Sequence, residues 1–383
     1  MDDRTRVARR DGSMVKQAVV LLDDADARSG EALPPIPAPL QDVAGQPFLD
    51  YLLDELSRYP TIEQILLLAG RGEQRVADRY HGRSWRGATL SVVSSDSSGA
   101  GALKCVAERL QERFFLLNGC LLFDFNLLDL ASRAQRSPAI AQVALTSGGI
   151  DRGIYCVDRR ILNYVREAPC SLENQVVPRL IAEGQFEAAS YGGFFVDVSG
   201  PSGLDRARTE LPDRLRRPAV FFDRDGVLNV DKNYLYRIDD FEWMPGAREA
   251  IRLCNDLRYY AFVVTNQSGV ARGHYGVDDI HRLHDWMSGE LAAIGAHIDD
   301  FQYCPYHEEG TVEAYRRTSD RRKPAPGMIL DCMKAWPVRT EGSLLVGDNA
   351  RDIGAAVAAG IPGHLFQGGD LASFLRPLLA ARS

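Results

Sequence analysis

The sequence predicts an α/β protein with two Rossmann-like three-layer domains built on mainly parallel sheets. Three observations carry that expectation. The chain has 383 residues, and a domain typically holds ~100–200, so two domains are expected. Its 45% hydrophobic and 25% charged residues are the balance of an ordinary globular protein. That excludes disordered, collagen-like and coiled-coil classes. Short aliphatic runs also alternate with longer amphipathic segments, the pattern of parallel strands with helices on both faces.

The strand-like runs are Ala18–Leu22, Ile65–Leu68, Leu90–Val93, Phe114–Leu117, Ala219–Phe222, Ala261–Thr265 and Ser343–Val346. Each is rich in β-branched or aliphatic residues, which favour strands. The helix-like segments are Phe48–Ser57, Ala100–Leu110, Ala247–Leu257, Val277–Ile294 and Arg351–Ala359. In such folds ligands bind beyond the carboxyl ends of the strands, so the chemistry is expected directly after the runs. A boundary is expected near Ser202–Pro218, because Asp205–Arg217 (DRARTELPDRLRR) is strongly charged, contains Pro212 and precedes a fresh strand. The expected organisation is a disordered tail over 1–13, one domain over 14–210 and a second over 217–383.

No apolar run approaches the ~18 residues needed to cross a membrane. Ala18–Leu22 is too short for a signal-peptide core. A cytoplasmic protein with no membrane association is expected. The seven cysteines (Cys105, Cys120, Cys156, Cys170, Cys254, Cys304 and Cys332) are scattered and form no CxxC, which fits a reducing compartment. The net charge of −7 argues against a general nucleic-acid binder. Arg4, Arg6, Arg9 and Arg10 form the basic cluster near a terminus. They read as a solvated tail, or as residues upstream of a start at Met14.

The sharpest signal is FFDRDGVLN, residues 221–229, where a hydrophobic strand ends in Asp223 and Asp225. That spacing lets both carboxylates face one site, and Gly226 lets the backbone turn sharply. A second strand ends in Thr265-Asn266-Gln267-Ser268-Gly269, whose hydroxyls and amides suit phosphate oxygens. Arg322-Lys323-Pro324 follows as a fixed positive charge on a loop before a helix. A third strand ends in Gly347-Asp348-Asn349-Ala350-Arg351-Asp352, with two carboxylates four residues apart. Each element alone is weak; all four in order are specific.

From about Ala219 to Phe366 the chain resembles the haloacid dehalogenase superfamily of aspartyl-phosphate phosphatases. Within it, the D-glycero-D-manno-heptose 1,7-bisphosphate phosphatases match best and the histidinol-phosphate phosphatases next. The resemblance rests on FFDRDGVLNVD, PGAREAI, VVTNQSGVARG, YCPYH, RKPAPGM and VGDNARD. It implies Asp223 as the nucleophile that forms an aspartyl phosphate, splitting a difficult displacement in two. It implies Asp225 as the group that protonates the leaving oxygen and then activates water. Mg²⁺, a hard ion that takes oxygen ligands, would be held by Asp223, the Asp225 backbone carbonyl and Asp348. Thr265 and Lys323 would complete the charge and hydrogen-bond shell. Asn266, Gln267 and Ser268 are expected to contact substrate. Arg272 and Arg322 are expected to give the site the local positive charge that the whole chain lacks. Arg272 reads either as a ligand for the distal end of the substrate or as a solvated loop arginine. Asp352 reads either as a group orienting Lys323 or Asp348, or as a helix N-terminal carboxylate.

The heptose bisphosphate phosphatases usually carry a zinc loop, Cys-x-His then Cys-x-Cys before the Arg-Lys-Pro. Here Cys304 alone matches a ligand position, and Tyr306, Ser319 and Arg321 occupy the others. Structural zinc takes four N or S ligands. Cys304 with His307 gives at most two, so no structural zinc is expected. Tyr306 and Tyr315 packing, or Arg321 ion pairs, would order the loop instead.

From about Gln17 to Ala207 the chain resembles sugar-1-phosphate nucleotidyltransferases, in particular heptose-1-phosphate guanylyltransferases. The matching stretches include AVVLL, PAPLQDVAGQPFLDYLLDEL, GAGALK, FFLLNGCLLFDFNLLDL, SLENQVVPRLI and GGFFVDVSGP. The family's Gly-rich loop cradles nucleotide phosphates on backbone N–H groups. Here it reads Leu22-Asp23-Asp24-Ala25-Asp26-Ala27-Arg28-Ser29, without glycine and with three carboxylates. The family's Pro-Lys-Pro lysine is Ala38, and its first metal aspartate is Cys120; Asp197 matches the second. The stretch from Asp124 to Gly153 is shorter than the family's pocket-forming insert. These losses imply a domain without catalysis, serving dimerisation, stabilisation of the phosphatase, or docking of a pathway partner.

The sequence therefore predicts an Mg²⁺-dependent phosphatase acting on a small phosphorylated sugar, the expected bond being the 7-phosphate of D-glycero-D-manno-heptose 1,7-bisphosphate. The alternatives are a bifunctional phosphatase and heptose-1-phosphate guanylyltransferase, or a phosphatase for histidinol phosphate or another small phosphomonoester. A homo-oligomer through the N-terminal domain is a further expectation.

Overall fold

Two main sheets form, one from each half of the chain, with two further two-stranded sheets in the N-terminal half. The computed structural model describes residues 14–22, 36–70, 74–95, 97, 99–146, 151–166 and 170–380. The Arg-rich tail over 1–13 and the acidic segment Asp23–Ser29 lie outside them.

The first sheet has eight strands: β1 Gln17–Leu21, β2 Gln64–Ala69, β3 Ser84–Trp85, β4 Ala88–Ser94, β5 Arg113–Asn118, β6 Ala141–Thr146, β7 Asp151–Asp158 and β8 Phe186–Tyr191. Their order is β8-β6-β7-β5-β1-β2-β4-β3. The centre, β4-β2-β1-β5, is parallel, and β7 runs antiparallel between β5 and β6. The centre is parallel because the connections pass over the sheet faces, where helix Phe48–Leu56 buries Phe48, Leu49, Leu52, Leu53 and Leu56. Two apolar clusters, one on each face, give the three-layer packing.

The second sheet has five strands, all parallel: β9 Ala219–Phe222, β10 Tyr260–Asn266, β11 Asp300–Cys304, β12 Leu344–Gly347 and β13 Gly363–Leu365, in the order β11-β10-β9-β12-β13. β9 lies at the centre, and all four of its residues are buried. The expected fold class is thus the observed one. Among the described residues, no helix is long and apolar enough to cross a membrane.

Two local expectations are corrected. Ala100–Arg109 is a 3₁₀-helix rather than an α-helix. Its buried Ala100, Leu103 and Val106 recur every third residue, which matches three residues per turn. The charged stretch placed at the boundary lies largely in an α-helix, Pro201–Leu215. Ala207, Leu211 and Leu215, spaced by four, are its buried stripe, so the charges mark a solvated face. The stripe packs with Cys120, Leu122, Phe194 and Val196 in the N-terminal half.

An ionic seam joins the halves. Arg58 Nε meets Asp299 Oδ1 at 2.8 Å, with both side chains within 4% of full burial. Arg217 Nη2 reaches Glu55 Oε2 at 2.8 Å and Asp124 Oδ1 at 3.0 Å, and Arg258 also pairs with Asp124. Arg252 meets Asp129 at 2.9 Å. Arg58 and Arg217 both lie over the Tyr260 ring, at 5.1 and 5.4 Å. Against a burial that would raise it, Arg58 and His297 hold the Asp299 carboxyl down at about 2. Asp299 Oδ2 also accepts the Ala261 N–H at 2.8 Å, so the seam grips the start of β10.

Removing Arg58 leaves the buried Asp299 carboxylate without its arginine, and breaking a buried pair costs ~3–5 kcal/mol. Arg58→Met should lose about that much unfolding free energy in urea titrations near pH 7. Asp299 is depressed from 3.8 to about 2 on folding. The wild-type advantage should therefore be complete above about pH 4 and fade as pH falls towards 2.

Candidate active site

The carboxyl ends of β9, β10 and β12 converge, and each supplies a motif residue. The chain leaves β9 at Asp223, whose N–H still bonds the Val346 carbonyl of β12 at 2.9 Å. Gly226, at φ +84°, turns the chain back. A Cβ there would lie 2.1 Å from Asp348 Oδ2, so glycine is also what lets the Asp348 carboxylate approach. At Gly347 a Cβ would lie 2.2 Å from Asp352 Cβ, so that glycine seats the first turn of helix Ala350–Ala358 against β12.

The buried Lys323 ammonium sits between two carboxylates, 2.8 Å from Asp223 Oδ2 and 2.7 Å from Asp352 Oδ1. Asn266 clamps that lysine's backbone: its Oδ1 accepts the Lys323 N–H and its Nδ2 donates to the Lys323 carbonyl, both at 3.1 Å. Asp352 fills both roles considered for it. Its Oδ1 meets the lysine, and its Oδ2 accepts the Asn349 N–H at 3.0 Å in a capping box. Burial first, with Asp352 and Asp225 adding like charge, pushes Asp223 up to about 7 despite Lys323. Burial and Asp352 also raise Asp348.

Oxygen atoms of Asp223, Asp348 and Asp352 all lie within 4.8 Å of one another. An all-oxygen, anionic donor set fits a hard divalent cation. Asp352 is committed on both oxygens, whereas Asp348 is exposed and has no side-chain ion pair among the described residues. The side chain of Asp225 stands apart from this trio. Its Oδ1 accepts Arg224 Nη2 and Asn229 Nδ2, each at 3.0 Å, and its Oδ2 accepts Arg224 Nη2 and Gln267 Nε2, each at 3.0 Å. The metal expectation for Asp225 concerned its backbone carbonyl and not this carboxylate.

The expected substrate donors divide. Gln267 is buried, its Nε2 also donating to Thr265 Oγ1 at 2.9 Å, and the Asn266 amide is spent on Lys323. Both amides are thus bonded to neighbouring residues of the site. Thr265 is buried at the end of β10, and Ser268 is half-buried on the following loop. Arg272 Nη2 lies 3.3 Å from His307 Nε2 and 3.5 Å from Glu309, and Arg322 Nη1 donates to the Tyr306 carbonyl at 3.3 Å. Burial lowers Arg322, and nearby Arg351 and Arg272 lower it further. Like charges are thus gathered beside the carboxylates. Sequence reasoning assigned no role to Asn229 or Tyr275. Asn229 at least lay within FFDRDGVLN.

Where the zinc ligands would stand, Cys304 is buried in an apolar cluster. Tyr306 and Tyr315 pack with ring centres 6.0 Å apart, and Arg317 lies 3.9 Å over Tyr306. Arg321 bonds Asp331 at 2.6 Å and Gln302 at 2.5 Å. Both kinds of contact expected to order the loop are present.

In the N-terminal half, Ala38 and Cys120 fall in one apolar cluster with Val43, Phe48, Leu122 and Phe194. Asp197 lies beside them on a short strand, accepting the Ser199 N–H and hydroxyl at 2.9 and 2.6 Å.

A parallel sheet whose strand ends carry this Asp-x-Asp, threonine, lysine and carboxylate set defines a haloacid dehalogenase-type phosphomonoester hydrolase. Residues 320–373 match the HAD-hydrolase-like family. More narrowly, the chain belongs to the D-glycero-D-manno-heptose 1,7-bisphosphate 7-phosphatase family. It is 52% identical over 164 residues to the D-glycero-β-D-manno-heptose-1,7-bisphosphate 7-phosphatase of Rhodopseudomonas palustris, which spans 43% of this chain and 91% of that protein. The B. bronchiseptica D,D-heptose 1,7-bisphosphate phosphatase, solved with magnesium and phosphate, is 32% identical over 42% of this chain and 86% of its own, with a TM-score of 0.36. Yersinia pseudotuberculosis HddC is similar over 51% of this chain and all of its own, at 16% identity and a TM-score of 0.44.

Since a Cβ at residue 226 and the Asp348 carboxylate occupy the same space, Gly226→Ala should weaken divalent-cation binding by at least about tenfold. Isothermal titration calorimetry would measure this, with activity falling in parallel.

Proposed function

We propose that residues 217–383 form an Mg²⁺-dependent phosphatase that removes the 7-phosphate of D-glycero-D-manno-heptose 1,7-bisphosphate in the cytoplasm. The observation that carries the reading is the buried Lys323 bridging Asp223 and Asp352 at 2.8 and 2.7 Å, in a chain 52% identical to a phosphatase of that name. Mg²⁺, held by Asp223, Asp348 and the Asp225 carbonyl, would supply positive charge against the phosphoryl oxygens.

The residues divide the work as follows. Asp223 attacks phosphorus, and the P–O bond to the sugar breaks as the aspartyl–phosphate bond forms. Asp225 gives its proton to the leaving oxygen. Water then attacks phosphorus, its proton passes to Asp225, and the bond to Asp223 breaks. Lys323 and Thr265 hold phosphoryl oxygens, and Asn266 fixes Lys323 for that task. The Arg272, Arg322 and Arg351 group repels itself until an anion arrives, so it suits the second phosphate of a bisphosphate.

Residues 14–210 act as a structural partner without catalysis. The positions where guanylyltransferases carry a lysine and a metal aspartate are Ala38 and Cys120, packed into one apolar cluster. The ionic seam ties this half to β10, which supports the stabilising role over nucleotide transfer. Pyrophosphate should not be released from GTP and heptose 1-phosphate.

Two measurements test the reading. Lys323→Ala should lower kcat by ~10²–10³, or ~2.7–4 kcal/mol of transition-state stabilisation, in phosphate-release assays. An unchanged kcat would contradict the assignment. Arg272→Ala should raise KM for the bisphosphate by roughly tenfold while leaving KM for a sugar monophosphate near its wild-type value, since a charge-assisted hydrogen bond is worth ~1.5–3 kcal/mol.

A further inference from the structure

The geometry points to Tyr275 as a positioning residue for leaving-group protonation, acting through Gln267 on the Asp225 carboxylate. The inference rests on the phosphatase reading and deepens it. Tyr275 touches no reacting atom, and it stands outside the four strand-end motifs.

The chain of contacts is short. Tyr275 Oη donates to Gln267 Oε1 at 2.6 Å. On the other side of the amide, Gln267 Nε2 donates to Asp225 Oδ2 at 3.0 Å and to Thr265 Oγ1 at 2.9 Å. An amide presents two donors on one side and one acceptor on the other. The phenol satisfies the acceptor, so both donors are left for Asp225 and Thr265. The reverse orientation would set a carbonyl oxygen against a carboxylate. Gln267 is buried, so bulk water does not reach its Oε1 and losing the phenol is costly there.

The phenol itself is held in place. Tyr275 is buried, stacks on Tyr236 with ring centres 5.1 Å apart, and packs with Val270 and Ile280. A Cβ at residue 269 would lie 2.2 Å from Tyr275 Cε1, so Gly269 leaves the space that the ring fills. Burial raises the phenol well above its ordinary value, which keeps it a donor.

Asp225 uses every contact that results. Arg224 reaches both carboxylate oxygens, Asn229 holds Oδ1 and Gln267 holds Oδ2. Gln267 is the member of this set that directly follows β10 and also touches Thr265. It therefore registers the proton donor against the strand end that holds the phosphoryl group. Losing its alignment disturbs proton delivery to the leaving oxygen and leaves the attack by Asp223 in place.

The test compares two substrates on the full chain with Mg²⁺. A sugar phosphate needs its leaving oxygen protonated, whereas p-nitrophenyl phosphate has a leaving group stable as an anion. The quantity read is kcat/KM, which ends at departure of the leaving group. Tyr275→Phe should lower the sugar-phosphate value at least about tenfold more than the aryl value, since general acid catalysis contributes ~10²–10⁴. Gln267→Ala should show the same bias, and the double variant should fall within about twofold of Gln267→Ala alone. Equal falls on the two substrates, no fall, or additive losses in the double variant would overturn the role of Tyr275. Asp223→Asn, assayed beside them, separates the two levels: activity that survives it overturns the reading of Asp223 as the nucleophile, on which the role of Asp225 and Gln267 rests.

Discussion

A lysine ammonium taken out of water needs opposite charge beside it. Lys323 meets two carboxylates, Asp223 from the end of β9 and Asp352 from the helix that follows β12. The same contact organises the acids. Asp223, Asp348 and Asp352 crowd within 4.8 Å, an arrangement that self-repulsion would open without cationic charge among them. Burial still pushes Asp223 up to about 7. The site thus sets one fixed cation against three acids, a donor set that fits a divalent cation.

The seam between the halves follows the same rule at a distance from the chemistry. Arg58 and Arg217 enter a region almost without water, and each is met by carboxylates from the other half. Asp299 couples that region to the start of β10 through the Ala261 N–H, and the far end of that strand carries Thr265 and Asn266, with Gln267 directly after it. Through Arg58 the N-terminal half thus bears on the start of this strand.

Much of this was legible in the sequence, for local reasons. The central strands are runs of Val, Leu and Phe buried on both faces, and the four motifs announce themselves because each ends a strand or opens a helix. The edges were harder to read. β11, Asp300–Cys304, reads DFQYC, has no β-branched residue and is mostly half-buried, and β13 is only three residues long. The 3₁₀ geometry of Ala100–Arg109 hid because apolar residues three apart, such as Ala100, Leu103 and Val106, share a face in either kind of helix. The charges of Pro201–Leu215 outnumber its three buried residues and mask a packed helix as a linker. Long-range pairs were out of reach altogether: Arg58 and Asp299 are 241 residues apart. The Gln267 and Asn266 amides were legible as donors, but residue type shows capacity to donate and not the partner that takes the bond.

The central claim is that phosphate passes through Asp223. The most direct measurement is rapid acid quench of a single turnover with the sugar bisphosphate, followed by mass spectrometry of the peptide that contains residues 219–228. The account predicts a transient phosphoryl group on Asp223 that forms before free phosphate appears and decays with it. Free phosphate appearing at full rate while that peptide stays unmodified throughout would contradict it.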